Sequence, residues 1–377
     1  MPTILQVLPS LDSGGVERGT VEIVEALVAA GHKALVASQG GRLVAAIERA
    51  GGQHFTLPLK TKNPWKIWRN ADALAQLIQA ERVDLIHARS RAPAWSVLRA
   101  SKQTGVPFIT TYHGTYADTS KAKRLYNSVM VRGSLVIAAS GFIAQLIQQQ
   151  HGVPPARIRL IPRGVDPQVF DPHAGLGLRV ARLATAWGLS EQTKIILLPA
   201  RISRWKGQDK LIEALAALKR PDVLAVFVGS DQGRHAIVRG LLDQAAARGV
   251  TSQIKLVGHC ADMPAALMLA DVVVSASTQP EAFGRAVIEA QAMERVVIAA
   301  DHGGAAETVT HGETGILVPP GDVQALTEAL NATFDASAED RQAMGQRARA
   351  SVLDHYTIDG LQRATLGVYD EVLAGRR

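Results

Sequence analysis

The 377-residue chain has a single cysteine, Cys260, so no disulfide closes within it and no thiolate cluster holds a metal. A lone thiol suits a reducing compartment, and the expectation is a cytoplasmic protein. Long apolar runs are lacking. No window approaches the ~20 residues that a spanning helix needs; the stretch 134–153 comes nearest, but Ser140-Gly141 interrupts it and three glutamines follow. The opening MPTILQVLPSLDSGG has no basic segment before its apolar stretch and meets Asp12 soon after, so it reads as a buried strand rather than a signal peptide. No low-complexity tract and no repeat of 20–50 residues is visible, and no His, Cys, Asp or Glu cluster has metal-ligand spacing.

What is present is ordinary for a globular protein: 47% hydrophobic, 20% charged, 33 Gly and 17 Pro. That excludes a disordered polymer, a collagen-like repeat and a coiled coil, and the length implies two domains or three. Charge is uneven. Residues 1–175 carry 20 Lys and Arg against 11 Asp and Glu, while the remainder carries 21 against 23. A basic half suggests an anionic partner: nucleic acid, acidic lipid headgroups or a phosphorylated substrate. Residues 60–69, KTKNPWKIWR, interleave four cations with Trp65 and Trp68 ahead of an amphipathic helix. This suits a membrane–water interface, or else the tryptophans pack inward. Lys121, Lys123, Arg124 and Arg132 form a second basic cluster around a helix starting near Ser120.

Short β-branched runs alternate with helical periodicity throughout, which predicts βαβ units and parallel sheets. Predicted strands are 4–8, 34–37, 55–57, 85–88, 108–111, 135–138 and 159–161, then 195–199, 224–228, 254–257, 272–275, 296–299 and 315–318. The Pro- and Gly-rich stretch 162–173 is the linker candidate. Two open parallel sheets then face each other across a cleft, each binding ligands at its strands' carboxyl ends.

Several post-strand loops carry chemistry. Ser13-Gly14-Gly15-Val16-Glu17 opens the first helix, where Gly-Gly admits close backbone approach and the helix start favours an anion. It is not G-x-G-x-x-G, so a dinucleotide is a poor guess, and a plain tight turn explains it as well. In Pro199-Ala-Arg201-Ile-Ser-Arg-Trp-Lys206-Gly207, Arg201 leaves a strand and Lys206 starts the next helix; a forked guanidinium plus a point charge suits a diphosphate. Glu281-Ala-Phe283-Gly284-Arg-Ala-Val-Ile-Glu289 sets one carboxylate in a loop and another a turn into a helix from Arg285. Asp301-His-Gly303-Gly304-Ala-Ala-Glu307 is a further strand–Gly-Gly–helix opening, and His113-Gly114 stands where a strand ends. Solvent-facing glutamates and a structural histidine are the ordinary alternatives.

In sequence order, the early Gly-Gly, the His-Gly, Arg-x(4)-Lys-Gly, EAFGRAVIE, HGGAAETV and TGILVPPGD resemble the retaining GT-B glycosyltransferases of family 4 (glycosyltransferases group 1), over essentially the whole chain. The resemblance implies an α/β GT-B architecture of two Rossmann-like, doubly wound parallel-sheet domains. An acceptor domain would span 1–165, a nucleotide-sugar donor domain 166–356, and a C-terminal helix, 357–377, would cross back to the first. It implies that Arg201 and Lys206 bind the donor diphosphate. Glu281, with backbone at Phe283 and Gly284, would contact the sugar, and Glu289 the ribose. Gly14 and Gly15 would approach the diphosphate, His113 would lie beside the reacting sugar, and His259 and Cys260 would line the nucleobase loop. No metal or other cofactor is implied, because the Arg/Lys pair supplies the electrostatics. Arg163, Ala200 and Arg285 stand where the family more often has Asn, Gly and an apolar residue.

The implied reaction transfers a sugar with retention to a glycan or lipid-linked anionic acceptor. The leading expectation is bacterial envelope glycan, such as lipopolysaccharide core, with peripheral attachment to the inner face of the cytoplasmic membrane. Its motives are the charge asymmetry and the similarity of 62–70 and 123–134 to such enzymes. A nucleotide-sugar epimerase or an inverting transferase is the enzymatic alternative. Nucleic-acid binding by the basic half is the other, but no aromatic-basic repeat or nucleic-acid module supports it.

Overall fold

The computed structural model describes residues 1–375 except Ser13 and Ala117. Ser13 of the first Gly-Gly loop and the last two residues of the expected crossing helix, Arg376 and Arg377, therefore lie outside the described residues. The chain divides into two compact units, one of residues 1–162 with 358–377 and one of residues 163–357.

The first unit is a parallel sheet of β1 (Thr3–Val7), β2 (Lys33–Ser38), β3 (Gln53–Thr56), β4 (Leu85–Ala88), β5 (Phe108–Tyr112), β6 (Val136–Ala138) and β7 (Ile158–Leu160). Its order is β3-β2-β1-β4-β5-β6-β7, so the winding reverses between β1 and β4. Central strands such as TILQV and LIHA are buried along their whole length, as strands covered by helices on both faces must be. Ile4, Leu8, Val36, Leu85 and Ile109 pack with Ile23 and Leu27 of the Gly15–Ala29 helix. Leu361, Val368 and Tyr369 of the Ile358–Ala374 helix complete this core. Tyr369 also enters a buried polar chain: its hydroxyl meets His87 Nδ1 at 2.7 Å, and His87 Nε2 meets Thr111 Oγ1 at 2.7 Å.

The second unit repeats the plan with β8 (Lys194–Pro199), β9 (Val223–Val228), β10 (Ile254–Gly258), β11 (Val272–Ser275), β12 (Val296–Ala300) and β13 (Ile316–Val318), ordered β10-β9-β8-β11-β12-β13. Ile196, Leu198, Phe227, Val272, Val274 and Ile298 form its centre, covered by the Gln208–Leu218 and Val323–Asp335 helices. Its winding reverses between β8 and β11, and such a reversal opens a crevice at the strands' carboxyl edge.

Candidate active site

Across the carboxyl edge of the second sheet, the predicted loops stand in the order of their strands. His259 and Cys260 follow β10, Arg201 to Lys206 follow β8, Ser277 to Glu281 follow β11, and His302 to Gly304 follow β12. Their chain positions are scattered over a hundred residues; the parallel winding gathers them.

The centre of this edge is an ion pair. Lys206 Nζ lies 2.6 Å from Glu281 Oε2, with the two side chains only 13% and 16% exposed. Both line a crevice with Leu198, Pro199, Ser275 and Ser277. The other carboxylate oxygen accepts a hydrogen bond from the Ser277 hydroxyl. An ammonium has three donors, so the pair orients Lys206 while two donors stay available to an anion. Lys206 precedes the helix rather than starting it: Gly207 caps the Gln208–Leu218 helix in a left-handed conformation, φ +75°. A Cβ there would sit 1.9 Å from the Ala276 carbonyl oxygen, so glycine is what allows the lysine loop to lie against β11's exit.

A second tie fixes Glu281 from below. His302 Nε2 meets the Ser277 carbonyl at 2.8 Å, and Gly304 N–H donates to the Glu281 carbonyl at 2.8 Å. A Cβ on Gly304 would lie 2.4 Å from the Ala282 carbonyl oxygen, which accounts for the second glycine of this turn. Gly284 then caps the Arg285–Ala292 helix, and Phe283 is buried edge-on against Tyr356, ring centroids 5.7 Å apart. Glu289 is buried in that helix and pairs with Arg285, Nε to Oε1 at 3.0 Å. The cation at an ordinarily apolar position thus holds the second carboxylate of the motif.

Not every expected residue converges on the pair. Arg201 is exposed, and its guanidinium reaches Gln232 at 3.4 Å. His259 is exposed, whereas the half-buried Cys260 thiol faces the Asp262 carbonyl and burial raises its pKa.

Two family models cover the chain: Glycosyltransferase Family 4 matches residues 13–169 and Glycosyl transferases group 1 matches residues 182–351. A glycosyltransferase from Rickettsia africae superposes with a TM-score of 0.91 at 35% identity, covering 99% of this chain and 98% of that one. This protein is a GT-B glycosyltransferase of family 4, group 1. Further likenesses agree. A D-inositol 3-phosphate glycosyltransferase of Jonesia denitrificans is 29% identical over 312 residues, 71% of this chain and 72% of its own length. Anabaena HepE, solved in complex with UDP and glucose, gives a TM-score of 0.86 at 25% identity, covering 98% of this chain and all of that one.

The first unit of the glycosyltransferase carries the remaining expected residues. Gly14 precedes and Gly15 begins the Gly15–Ala29 helix after β1; Gly15 faces open space, while a Cβ on Gly14 would meet the Glu17 carboxylate at 2.5 Å. Burial raises the pKa of Glu17. His113 follows β5 and is half-buried.

Two residues of the transferase, Arg89 and Ser277, escaped the sequence reading, and His302 stood in a loop it singled out but had no role there. Arg89, directly after β4 at the winding reversal, is a buried guanidinium that donates to Gln6 Oε1 at 2.9 Å, and burial lowers its pKa. Ser277 and His302 support Glu281. No spacing rule announces any of them: the Arg89 signal was its place at the end of a central strand, and the others needed the β11–β12 pairing.

Proposed function

We propose that this glycosyltransferase takes a sugar from a nucleoside diphosphate sugar and passes it, with retained anomeric configuration, to an anionic glycan or lipid-linked acceptor. The observation that carries the reading is the Lys206–Glu281 pair at the winding reversal of the second sheet, between two Gly-dependent turns. In this proposal Lys206 and Arg201 neutralise the diphosphate as it leaves, which lowers the barrier by stabilising developing charge without a metal ion. Glu281 and the Phe283–Gly284 backbone hold the sugar hydroxyls, and Glu289, oriented by Arg285, takes the ribose. His259 and Cys260 line the base mainly through backbone, Gly14–Gly15 admit the diphosphate from the first unit, and His113 stands beside the reacting sugar.

Retention is assigned to a front-face displacement: the acceptor oxygen bonds to the anomeric carbon on the face that the diphosphate leaves, and the departing phosphate oxygen takes the acceptor proton. No carboxylate in the set is assigned as a covalent nucleophile. For the acceptor, the basic residues 1–175 support an anionic molecule, and the substrate named for the Jonesia relative carries a phosphate. A bacterial envelope glycan of the lipopolysaccharide-core kind, met at the inner face of the cytoplasmic membrane, is the acceptor class proposed. Among the described residues no helix is long and apolar enough to cross a membrane.

The test is a nucleotide panel. UDP, GDP and ADP and their sugar conjugates are screened for thermal stabilisation, where a ligand at a hundred times its Kd adds about 2.7 kcal/mol. One base should raise the Tm, Arg201→Ala should abolish the rise, and turnover should persist in EDTA. Proton NMR of the first-formed product should show the donor's anomeric configuration. No response to any nucleotide defeats the donor site, and an inverted product defeats retention.

A further inference from the structure

The two basic clusters of the first unit, some fifty residues apart in sequence, are brought to one face by the helix that runs between them. Consecutive residues of the Arg91–Thr104 helix hold both: Ser96 Oγ donates to the Ile67 carbonyl at 2.8 Å, and Trp95 Nε1 donates to the Tyr126 carbonyl at 3.2 Å. Trp95 and Arg99, one turn apart on one face of that helix, meet Tyr126 and the Trp68 ring respectively, so the start of the Pro64–Ala80 helix and the Lys121–Asn127 helix flank the same face of it, within roughly 20 Å. Arg91 Nη1 to Asn127 Oδ1, 2.8 Å, pins the second flank again.

What these flanks present is unusual for a water-facing surface. Trp65 is 77% exposed, Trp68 53% and Leu125 59%, so the tryptophans do not pack inward. Around them stand Lys62, Lys66, Arg69, Lys121, Lys123 and Arg124, all exposed. The nearby acids are already matched: Asp72 pairs with Arg99 at 3.6 Å and Asp118 with Arg124 at 3.1 Å. Arg99 lies 3.6 Å over the Trp68 ring, holding that indole outward. The Pro64–Ala80 helix start is itself firm, since the Asn63 side chain accepts from Trp65 N–H at 2.9 Å and Pro64 is its first residue.

We propose that this face, Trp65, Trp68 and Leu125 within a ring of lysines and arginines, docks on a bilayer that carries anionic headgroups. Indoles favour the headgroup boundary and the excess cations match acidic lipid, which makes a lipid surface a better fit than a dry protein interface. The inference uses the first unit alone and does not rest on the donor reading, so it is measured without any sugar substrate.

The full chain is sedimented with phosphatidylcholine vesicles and with vesicles containing 30% phosphatidylglycerol, at about 0.1 M salt. Retention on the anionic vesicles only is expected, with a blue-shifted tryptophan emission that brominated lipid quenches. Trp65→Ser with Trp68→Ser should lower vesicle partition at least tenfold and remove the quenching. Lys62→Gln with Lys66→Gln should lower partition roughly tenfold, since each cation near an acidic surface contributes about fivefold before screening. All four positions are exposed, so unchanged circular dichroism and unchanged melting verify folding. Failure to bind anionic vesicles, equal binding to neutral ones, or binding that survives both double substitutions overturns the proposal.

Discussion

Replacing Lys206 by methionine keeps the aliphatic stem, whose ammonium sits 4.4 Å from the Trp205 ring centroid, and removes the charge facing Glu281. An exposed ion pair contributes about 0–1 kcal/mol, whereas stripping one partner from a buried pair costs about 3–5 kcal/mol because the other charge is left uncompensated. With side chains 13% and 16% exposed, the pair lies nearer the buried limit, and residual solvent brings the expected loss to about 2–3 kcal/mol. For a unit of this size that lowers the Tm by roughly 4–12 °C. Trp187 and Trp205 report on the second unit, so urea unfolding followed by fluorescence should show the change in that transition. Glu281→Gln added to Lys206→Met should restore much of the loss, because the stranded charge is gone, and the double-mutant cycle should give a coupling of about 1.5 kcal/mol or more. A Lys206→Met protein within about 0.5 kcal/mol of the parent, or strictly additive single effects, would refute the claim that these two groups form one buried unit.

Gly207→Ala should destabilise the second unit by about 2 kcal/mol or more, through a left-handed residue and a Cβ against the Ala276 carbonyl; an unchanged Tm would show that the loop yields freely. Tyr369→Phe should cost about 1–3 kcal/mol by leaving His87 Nδ1 buried without its hydroxyl partner, to be read as a lower first-unit Tm. On acidification, the half-buried His54 and His151 matter: burial lowers both pKa values below the ordinary 6.5, so the unfolded chain takes up protons first. Their contribution is complete above pH 6.5 and is lost as pH falls through the depressed folded values, giving a Tm that declines below pH 6.5; His54→Gln should flatten that decline.

The alternation of apolar strands and amphipathic helices made the two parallel sheets legible, because strands buried on both faces admit little but β-branched and aliphatic residues, as in IILLP and VVIAA. Strand ends moved by a residue or two, for example to Thr3–Val7 from 4–8, since pairing with β2 and β4 rather than apolarity sets the limits. Within the site, loops could be assigned to strands but contacts could not. Lys206 and Glu281 are seventy-five positions apart, and their meeting depends on β8 neighbouring β11. The partnership of Arg285 with Glu289 was available from their i,i+4 spacing on one helix. For Trp65 and Trp68 the sequence left outward and inward placement both open, and the structure decides for outward: the apolar periodicity of their helix continues through Ala71, Leu74 and Ile78, which are buried, while the first turn projects beyond the core.

The Ile358–Ala374 helix, which supplies Leu361, Val368 and Tyr369 to the first unit, leaves its imprint on the order in which the protein is made. The ribosome completes the first seven strands early, yet one helical cover of their core is encoded after the entire second unit. At synthesis rates of about 5–20 residues per second, that delay is roughly 10–40 s. When it ends, the second unit has its whole sequence and its ends can be bridged by Val165 and Thr357, while His87 still waits for the Tyr369 hydroxyl. The C-terminal unit can therefore finish folding before the N-terminal one, and the nascent first sheet, with an apolar face uncovered, is the stage at which a chaperone or a misfolding partner would find this chain.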